Sequence, residues 1–153
     1  MSPGKGIRIN NKKGELIFEG NLHLTTDELD FRDAVLEGMA LHGMCFEYAN
    51  MEGANLRGAD LYWASFFCAN LTGGDLEGAQ LQGADLKDAN LTNANLRNAN
   101  LGKDNVGGST QLQGANLTGA VLQGAKLEGA EYDSKTVFPL GFHPDKNKMI
   151  LRK

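Results

Sequence analysis

Apolar side chains recur at every fifth position along most of this chain. Sixteen successive positions of the series, here called centres, are apolar: Phe31, Leu36, Leu41, Phe46, Met51, Leu56, Leu61, Phe66, Leu71, Leu76, Leu81, Leu86, Leu91, Leu96, Leu101 and Val106. Alanine lies two positions before most centres, and a polar residue separates the two. Two inward positions around an outward one indicate an extended segment, and the restart at every fifth residue indicates a turn. The pattern therefore predicts a polygonal coil, because a period of five matches neither a helix nor a long strand.

Glycine often stands two positions after a centre, as at Gly53, Gly58 and Gly73. These positions are expected to be corners, because glycine adopts backbone angles that other residues avoid. Runs within this pattern resemble the pentapeptide-repeat proteins over roughly residues 29–135: Ala54-Asn55-Leu56, Ala59-Asp60-Leu61, Ala84-Asp85-Leu86 and Ala94-Asn95-Leu96. The resemblance implies an all-β fold, a right-handed quadrilateral parallel β-helix with four sides of five residues, and a bacterial source.

In such a solenoid, residues twenty apart stack at about 4.8 Å. The expected stacks of centres are Phe31, Met51, Leu71, Leu91 on the first face; Leu36, Leu56, Leu76, Leu96 on the second; Leu41, Leu61, Leu81, Leu101 on the third; and Phe46, Phe66, Leu86, Val106 on the fourth. The next centres are shifted by one position: Leu112, Leu117, Leu122, Leu127, Tyr132 and Val137. We interpret the shift as one residue inserted near 107–111. It forms either a plain corner loop or a recognition loop.

The chain divides into one solenoid with a cap at each end, since the end coils of a repeat protein need cover. Residues 1–28 are expected to form an N-terminal cap, with a hairpin around 10–14 and a short helical turn at 22–29 capped by Thr26. Residues 29–137 form the solenoid of about five coils. Residues 138–153 form the C-terminal cap, in which Phe138, Leu140 and Phe142 cover the last coil and 149–153 is an extended or frayed tail.

Charge is distributed unevenly and limits the classes of partner. Residues 27–131 hold fifteen acidic and six basic residues, a net charge of −9, whereas both ends are basic. An acidic surface repels nucleic acid and anionic membranes, so direct binding to either is not expected. No membrane-length apolar run or signal segment is present, which predicts a cytoplasmic protein. Cys45 and Cys68 are expected to be free thiols.

One functional hypothesis follows from the resemblance. The family includes quinolone-resistance proteins whose acidic rods resemble a DNA duplex and occupy the DNA-binding site of gyrase. An acidic DNA mimic that protects or inhibits gyrase or topoisomerase is therefore the alternative function. A rod of about five coils is only ~25 Å long, or roughly seven base pairs. Basic residues also interrupt the acid, and Glu37, Arg57, Glu77 and Arg97 predict a ladder of opposite charges on the second face.

The preferred hypothesis is a scaffold that binds a protein through aromatic residues. Tyr62, Trp63 and Phe67 occupy outward or corner positions, and His42 and Tyr48 are expected nearby. Exposed aromatic side chains are typical interface anchors, and a second copy of the chain is the simplest partner. In the alternative arrangement, Tyr62 and Trp63 fold over neighbouring glycines or pack against the N-terminal cap.

No catalytic, cofactor or metal site is predicted. His23, His42 and His143 are placed in the front cap, an outer face and the tail, so they are not expected to converge. His42 and Cys45 supply two ligands, whereas a zinc site needs three or four. No nucleophilic triad or phosphate-binding glycine loop can be assembled, which predicts a non-enzymatic protein.

Overall fold

The computed structural model describes residues 7–20 and 29–153. The expected helical turn at 22–29, apart from its final residue, and His23 therefore lie outside the described residues. A 3-10 turn covers Asp145–Asn147. Within the described residues there are five strands, β1 (Ile7–Asn11), β2 (Leu16–Gly20), β3 (Ala34–Val35), β4 (Glu131–Tyr132) and β5 (Ile150–Leu151).

The chain between β3 and β4 forms the right-handed quadrilateral β-helix that the period predicts. Parallel bridges join residues twenty apart, such as Asn50 with Asn70 and Asn70 with Asn90. The centres from Phe31 to Leu101 donate their N–H groups to the next coil, as from Leu56 to the carbonyl of Asp75 at 2.7 Å. The stacked coils thereby satisfy backbone groups that would otherwise be buried without partners.

The interior is filled by the centres and by the alanines that precede them. Both Leu56 and Ala54 have no exposed surface. Phe46 and Phe66 stack at 5.1 Å between ring centroids with 9° between ring planes, as their twenty-residue separation predicts. Corner glycines have positive φ angles, for example 66° at Gly53 and 60° at Gly58, which explains why glycine recurs there.

The insertion after Leu101 is six residues long, so the prediction of one inserted residue is wrong. Leu86 donates its N–H to the carbonyl of Gln111, which stacks Leu112 on Leu86. Val106 is 83% exposed and does not belong to the fourth face. Its place in the five-residue series is a coincidence of spacing within a loop. Thr110 takes the inward position that alanine has elsewhere, and its buried hydroxyl donates to the carbonyl of Leu81 at 2.7 Å.

A second, smaller insertion moves the last centre from Val137 to Phe138. Leu117 donates its N–H to the carbonyl of Val137, so Phe138 continues the first face. Val137 is 47% exposed, and its expected role as a centre is therefore wrong. The hydroxyl of Thr136 holds the extra residue by donating to the carbonyl of Leu112 at 2.8 Å.

The N-terminal hairpin covers the first coil. Strand β1 pairs antiparallel with β2 and also with β3, which attaches the hairpin to the second face. Ile9 is fully buried, and the ring of Phe18 meets Phe31 edge-on at 5.4 Å. Burial of these side chains keeps water from the end of the core.

The C-terminal segment closes the other end by adding a partial coil. Strand β5 pairs in parallel with β4, and the N–H of Arg152 donates to the carbonyl of Tyr132 at 2.7 Å. Phe138 and Phe142 stack at 5.0 Å between centroids and pack against the core. Leu140 is fully exposed, so its predicted contribution to the cover is wrong.

Candidate functional site

Trp63 lies flat against the coil that follows it. Its ring occupies the space beside Gly83, where an added Cβ would come within 2.8 Å of the indole, and beside Gly108. The indole N–H donates to a carboxylate oxygen of Asp104 at 3.0 Å. The ring nevertheless remains 51% exposed. Trp63 therefore folds over neighbouring glycines, as in the alternative arrangement, and does not project freely from the coil.

Asp104 organises the six-residue insertion, hereafter the 103–108 loop. One carboxylate oxygen accepts N–H groups from Val106 at 2.9 Å and Gly108 at 2.6 Å, while the other accepts from Trp63. Burial opposes ionisation of Asp104, but these hydrogen bonds and one from Tyr62 outweigh it and lower its pKa. The ionised carboxylate thus fixes Trp63 to the loop.

Tyr62 belongs to the same cluster and is half-buried. Burial raises the pKa of its hydroxyl, and the charge and hydrogen-bond acceptance of Asp104 raise it further. The hydroxyl therefore stays protonated beside the ionised carboxylate. The sequence does not indicate this role of Asp104, because it lies 41 residues from Trp63 and reaches it only through the 103–108 loop.

A second pair of aromatic residues lies on the fourth face. Tyr48 is 52% exposed, and its ring meets Phe67 edge-on at 5.6 Å between centroids. Among the described residues, no ring–ring contact joins this pair to Tyr62 or Trp63. His42 is exposed on the third face, where its Nδ1 lies 3.5 Å from a carboxylate oxygen of Asp60. We call the surface formed by these five predicted residues the aromatic face: His42, Tyr48, Tyr62, Trp63 and Phe67.

The backbone angles mark this surface as unusual. Corner residues of the coils have positive φ, and apart from glycine most are Asp or Asn, which tolerate this conformation. Between β3 and β4 the exceptions are Tyr48 (φ 58°), Trp63 (φ 56°) and Cys68 (φ 55°), and beyond them Lys148 (φ 53°) ends the 3-10 turn. The first three lie at the two corners that flank the fourth face. An unfavourable backbone conformation is therefore concentrated where the aromatic side chains are exposed.

The charge ladder on the second face forms only in part. Arg57 donates to Glu77 at 2.6 Å and to Asp75 at 3.3 Å, and these bonds raise its pKa. Among the described residues, neither Glu37 nor Arg97 belongs to an ion pair. The middle of the predicted ladder thus joins two coils through ion pairs, whereas Glu37 reaches the next coil only by accepting a hydrogen bond from the Asn55 amide at 3.0 Å.

The described part of the chain offers no cluster of His, Cys, Asp and Glu that could hold a metal ion. No helix within residues 7–20 and 29–153 is long and apolar enough to cross a bilayer. Cys45 and Cys68 are free thiols. Burial raises the pKa of the Cys68 thiol, and nearby carboxylates such as Asp88 raise it further, which disfavours the reactive thiolate.

The family model for pentapeptide repeats matches eight copies in this chain, over residues 30–73, 64–102 and 109–131. Together these ranges span more than half of the sequence. The chain belongs to the pentapeptide-repeat family. The matched ranges leave out residues 103–108, the same six residues that the coil register identifies as the insertion.

Several solved pentapeptide-repeat structures resemble this chain. Rfr23 from the cyanobacterium Cyanothece 51142 is 34% identical over 75% of this chain and 67% of its own, with a TM-score of 0.56. HetL from Nostoc sp. strain PCC 7120, a protein involved in heterocyst differentiation regulation, is 40% identical over 66% of this chain and 44% of its own, with a TM-score of 0.45. A protein from the Arabidopsis thaliana thylakoid lumen is 34% identical over 76% and 67%, with a TM-score of 0.39. A sequence search of curated proteins finds no match.

Proposed function

We propose that this pentapeptide-repeat protein is a non-enzymatic scaffold that binds a protein partner through the aromatic face. The observation that carries the proposal is the placement of Tyr48, Trp63 and Cys68 at positive-φ corners around one face. A left-handed conformation costs such a residue about 1–2 kcal/mol compared with glycine. Strained residues of this kind are concentrated at binding sites, where function compensates for the lost stability.

The exposed rings have the properties of interface anchors. Tyr48 and Trp63 each leave about half of their surface exposed, on a rod whose other outward positions are mainly polar. Trp63 is held by Gly83, Gly108 and Asp104, so little conformational entropy is lost when a partner covers it. Rigid aromatic side chains contribute a large share of the binding energy in many interfaces.

The proposal includes a cytoplasmic location, since free thiols such as Cys45 and Cys68 persist in reducing compartments. It assigns no catalytic step to the chain. The raised pKa of Cys68 supports a non-catalytic role, because it keeps the thiol protonated and the thiolate is the nucleophilic form.

Affinity capture from a native lysate of the source cells tests the proposal. The test variant, Tyr48→Asn/Phe67→Thr, removes two rings and leaves the contacts of Trp63 intact. The control variant, Arg97→Ala/Asn98→Gly, changes the equivalent outward and corner positions on the second face. We expect the test variant to lose a partner that both the wild type and the control retain. Loss of the partner from both variants, or from neither, would contradict the proposal.

Repeating the capture at high salt separates the scaffold from the acidic DNA mimic. An aromatic anchor retains its partner at high ionic strength, whereas recognition through carboxylates weakens steeply. Retention at high salt supports the aromatic face. Capture of gyrase or topoisomerase that is released by salt and unaffected by the ring substitutions would replace it with DNA mimicry. A second copy of the chain as the captured partner would identify the interface as a homodimer.

A further inference from the structure

A basic cleft lies at the C-terminal end of this largely acidic protein. The cleft has a volume of about 460 Å³ and opens where the 3-10 turn Asp145–Asn147 meets the last coils. Four lysines and one carboxylate line it, which leaves three formal positive charges: Lys103, Lys126, Lys146, Lys148 and Glu128. This cluster contrasts with the net charge of −9 over residues 27–131.

Backbone contacts hold two of the lysines in place. The aliphatic part of Lys103 packs against Gly129, where an added Cβ would meet it at 3.1 Å. The N–H of Lys103 donates to the carbonyl of Glu128 at 3.0 Å, and the N–H of Gly129 donates to the carbonyl of Lys148 at 3.0 Å. Glu128 and Gly129 thus hold Lys103 and Lys148 side by side, although these two lysines are 45 residues apart in sequence.

Most of the positive charge in the cleft is uncompensated. Lys148 lies 3.7 Å from Glu128. Among the described residues, Lys103, Lys126 and Lys146 have no ion-pair partner. Neighbouring ammonium groups repel one another, and an anion that binds between them relieves the repulsion. The chain has more acidic than basic residues, yet three of these lysines form no ion pair within the described residues. The arrangement therefore favours a counter-ion from solution.

A polar group at the edge of the cleft adds a hydrogen-bond donor. Asn100 lines the cleft, and its Oδ1 accepts the N–H of Gly102 at 3.2 Å. The amide NH₂ of Asn100 is therefore the group available to a ligand. Ammonium and amide donors together match the acceptor oxygens of phosphates and carboxylates.

We propose that this cleft binds a small, multiply charged anion of phosphate or carboxylate chemistry. Its volume is within the range of about 300–1,000 Å³ found for small-molecule sites. Three excess positive charges suit a ligand with several negative charges better than a single carboxylate. The cleft shares no lining residue with the aromatic face, although Lys103 directly precedes Asp104, which holds Trp63.

Isothermal titration calorimetry with inorganic tripolyphosphate and, separately, with citrate tests this inference. The titrations use the full chain at about 0.05 M and about 0.15 M salt, because screening changes strongly over this range. We expect one anion to bind per chain, more weakly at the higher salt. Tighter binding of tripolyphosphate identifies a phosphate ligand, and tighter binding of citrate identifies a carboxylate ligand.

The variant Lys126→Glu/Lys146→Glu should bind the preferred anion at least about tenfold more weakly, since two attractions become repulsions. Lys126→Gln/Lys146→Gln should have an intermediate affinity and guards against a folding defect in the first variant. The control Lys13→Glu/Lys135→Glu makes the same change of charge outside the cleft and should bind like the wild type. Absence of binding by both anions, equal losses in the test and control variants, or tighter binding of a DNA duplex than of either small anion would overturn the inference.

Discussion

At the scale of single residues, the corner positions of the coil restrict which residue types can be accommodated without backbone strain. Glycine at Gly53 and Gly58 adopts a positive φ without strain, and Asn or Asp at other corners does so at little cost. Tyr48, Trp63 and Cys68 do not have this freedom, yet they adopt the same angles. The surrounding coils impose the conformation, because each corner is bracketed by hydrogen bonds to the next coil.

Cys68→Gly should stabilise the protein. Glycine removes the left-handed strain at φ 55°, and its greater freedom in the unfolded chain offsets part of the gain, so we expect about 0.5–1 kcal/mol. Cys45→Gly is the matched control. Cys45 forms a parallel bridge with Ser65 at an ordinary extended position, where glycine should destabilise by a similar amount. Urea unfolding of both variants measures the difference, and a loss of stability in Cys68→Gly would contradict the strain argument.

Asp104 should make the environment of Trp63 dependent on pH. Burial opposes ionisation of Asp104, but its hydrogen bonds lower its pKa in the folded protein, so these stabilising bonds are fully present above the unfolded pKa and are lost as pH decreases through the folded pKa. Because Trp63 is the single tryptophan, its fluorescence reports directly on the loop. We expect constant emission down to about pH 4 and a red shift below it.

Asp104→Asn is the control for that titration. It should start with red-shifted emission at neutral pH, because the charged acceptor that holds the indole N–H is gone. The shift below pH 4 should then be small. An unchanged titration in the variant would assign the transition to another carboxyl group.

At the scale of elements, stacking between coils distinguishes residues that look equivalent in sequence. Arg57 bridges to Glu77 and Asp75 of the next coil, whereas Arg97 occupies the same repeat position without an ion pair among the described residues. Arg57→Glu should lower the melting temperature by about 1–3 °C at low salt, and less at high salt. Arg97→Glu should change it by less. Equal effects in thermal melts would show that the pair adds nothing to coil register.

A deletion in the 103–108 loop can test the register assigned to the coils on either side of it. Removal of residues 103–108 together with Ser109→Gly restores the spacing of five between Leu101 and Leu112, with Thr110 in the inward position. We expect a folded protein with red-shifted Trp63 fluorescence. Deleting Gly107 alone should leave the coils in register as well, because the loop absorbs the change. Circular dichroism melts check both, and unfolding of the six-residue deletion would contradict the assigned register.

The sequence is sufficient to predict the coil, its four faces and the aromatic stack of Phe46 on Phe66, because one period controls them all. It was misleading at Val106, where an apolar residue in a loop happens to continue the series. A signal was present nevertheless: no small residue precedes Val106 at the inward position, which is occupied by Asp104. The Trp63–Asp104 contact could not be predicted, because it depends on how the loop folds back across two coils.

At the scale of the whole molecule, the protein is a rod whose chemistry varies along its length. The hairpin covers one end, the aromatic face spans the third and fourth faces, and the basic cleft lies beside the C-terminal cap. Each coil contacts mainly its neighbours, so the rod presents these surfaces at fixed separations. A partner protein and a small anion would therefore be able to bind at the same time without competing for contacts.

The most direct test of the central claim is photo-crosslinking in the source cells. Phe67→benzoylphenylalanine places a photoreactive ring within the aromatic face, and Arg97→benzoylphenylalanine places it at the equivalent position on the second face. We expect a discrete crosslinked species, with either another protein or a second copy of the chain, from position 67 and none from position 97. Crosslinks of equal yield from both positions, or from position 97 alone, would show that the aromatic face is not the binding surface.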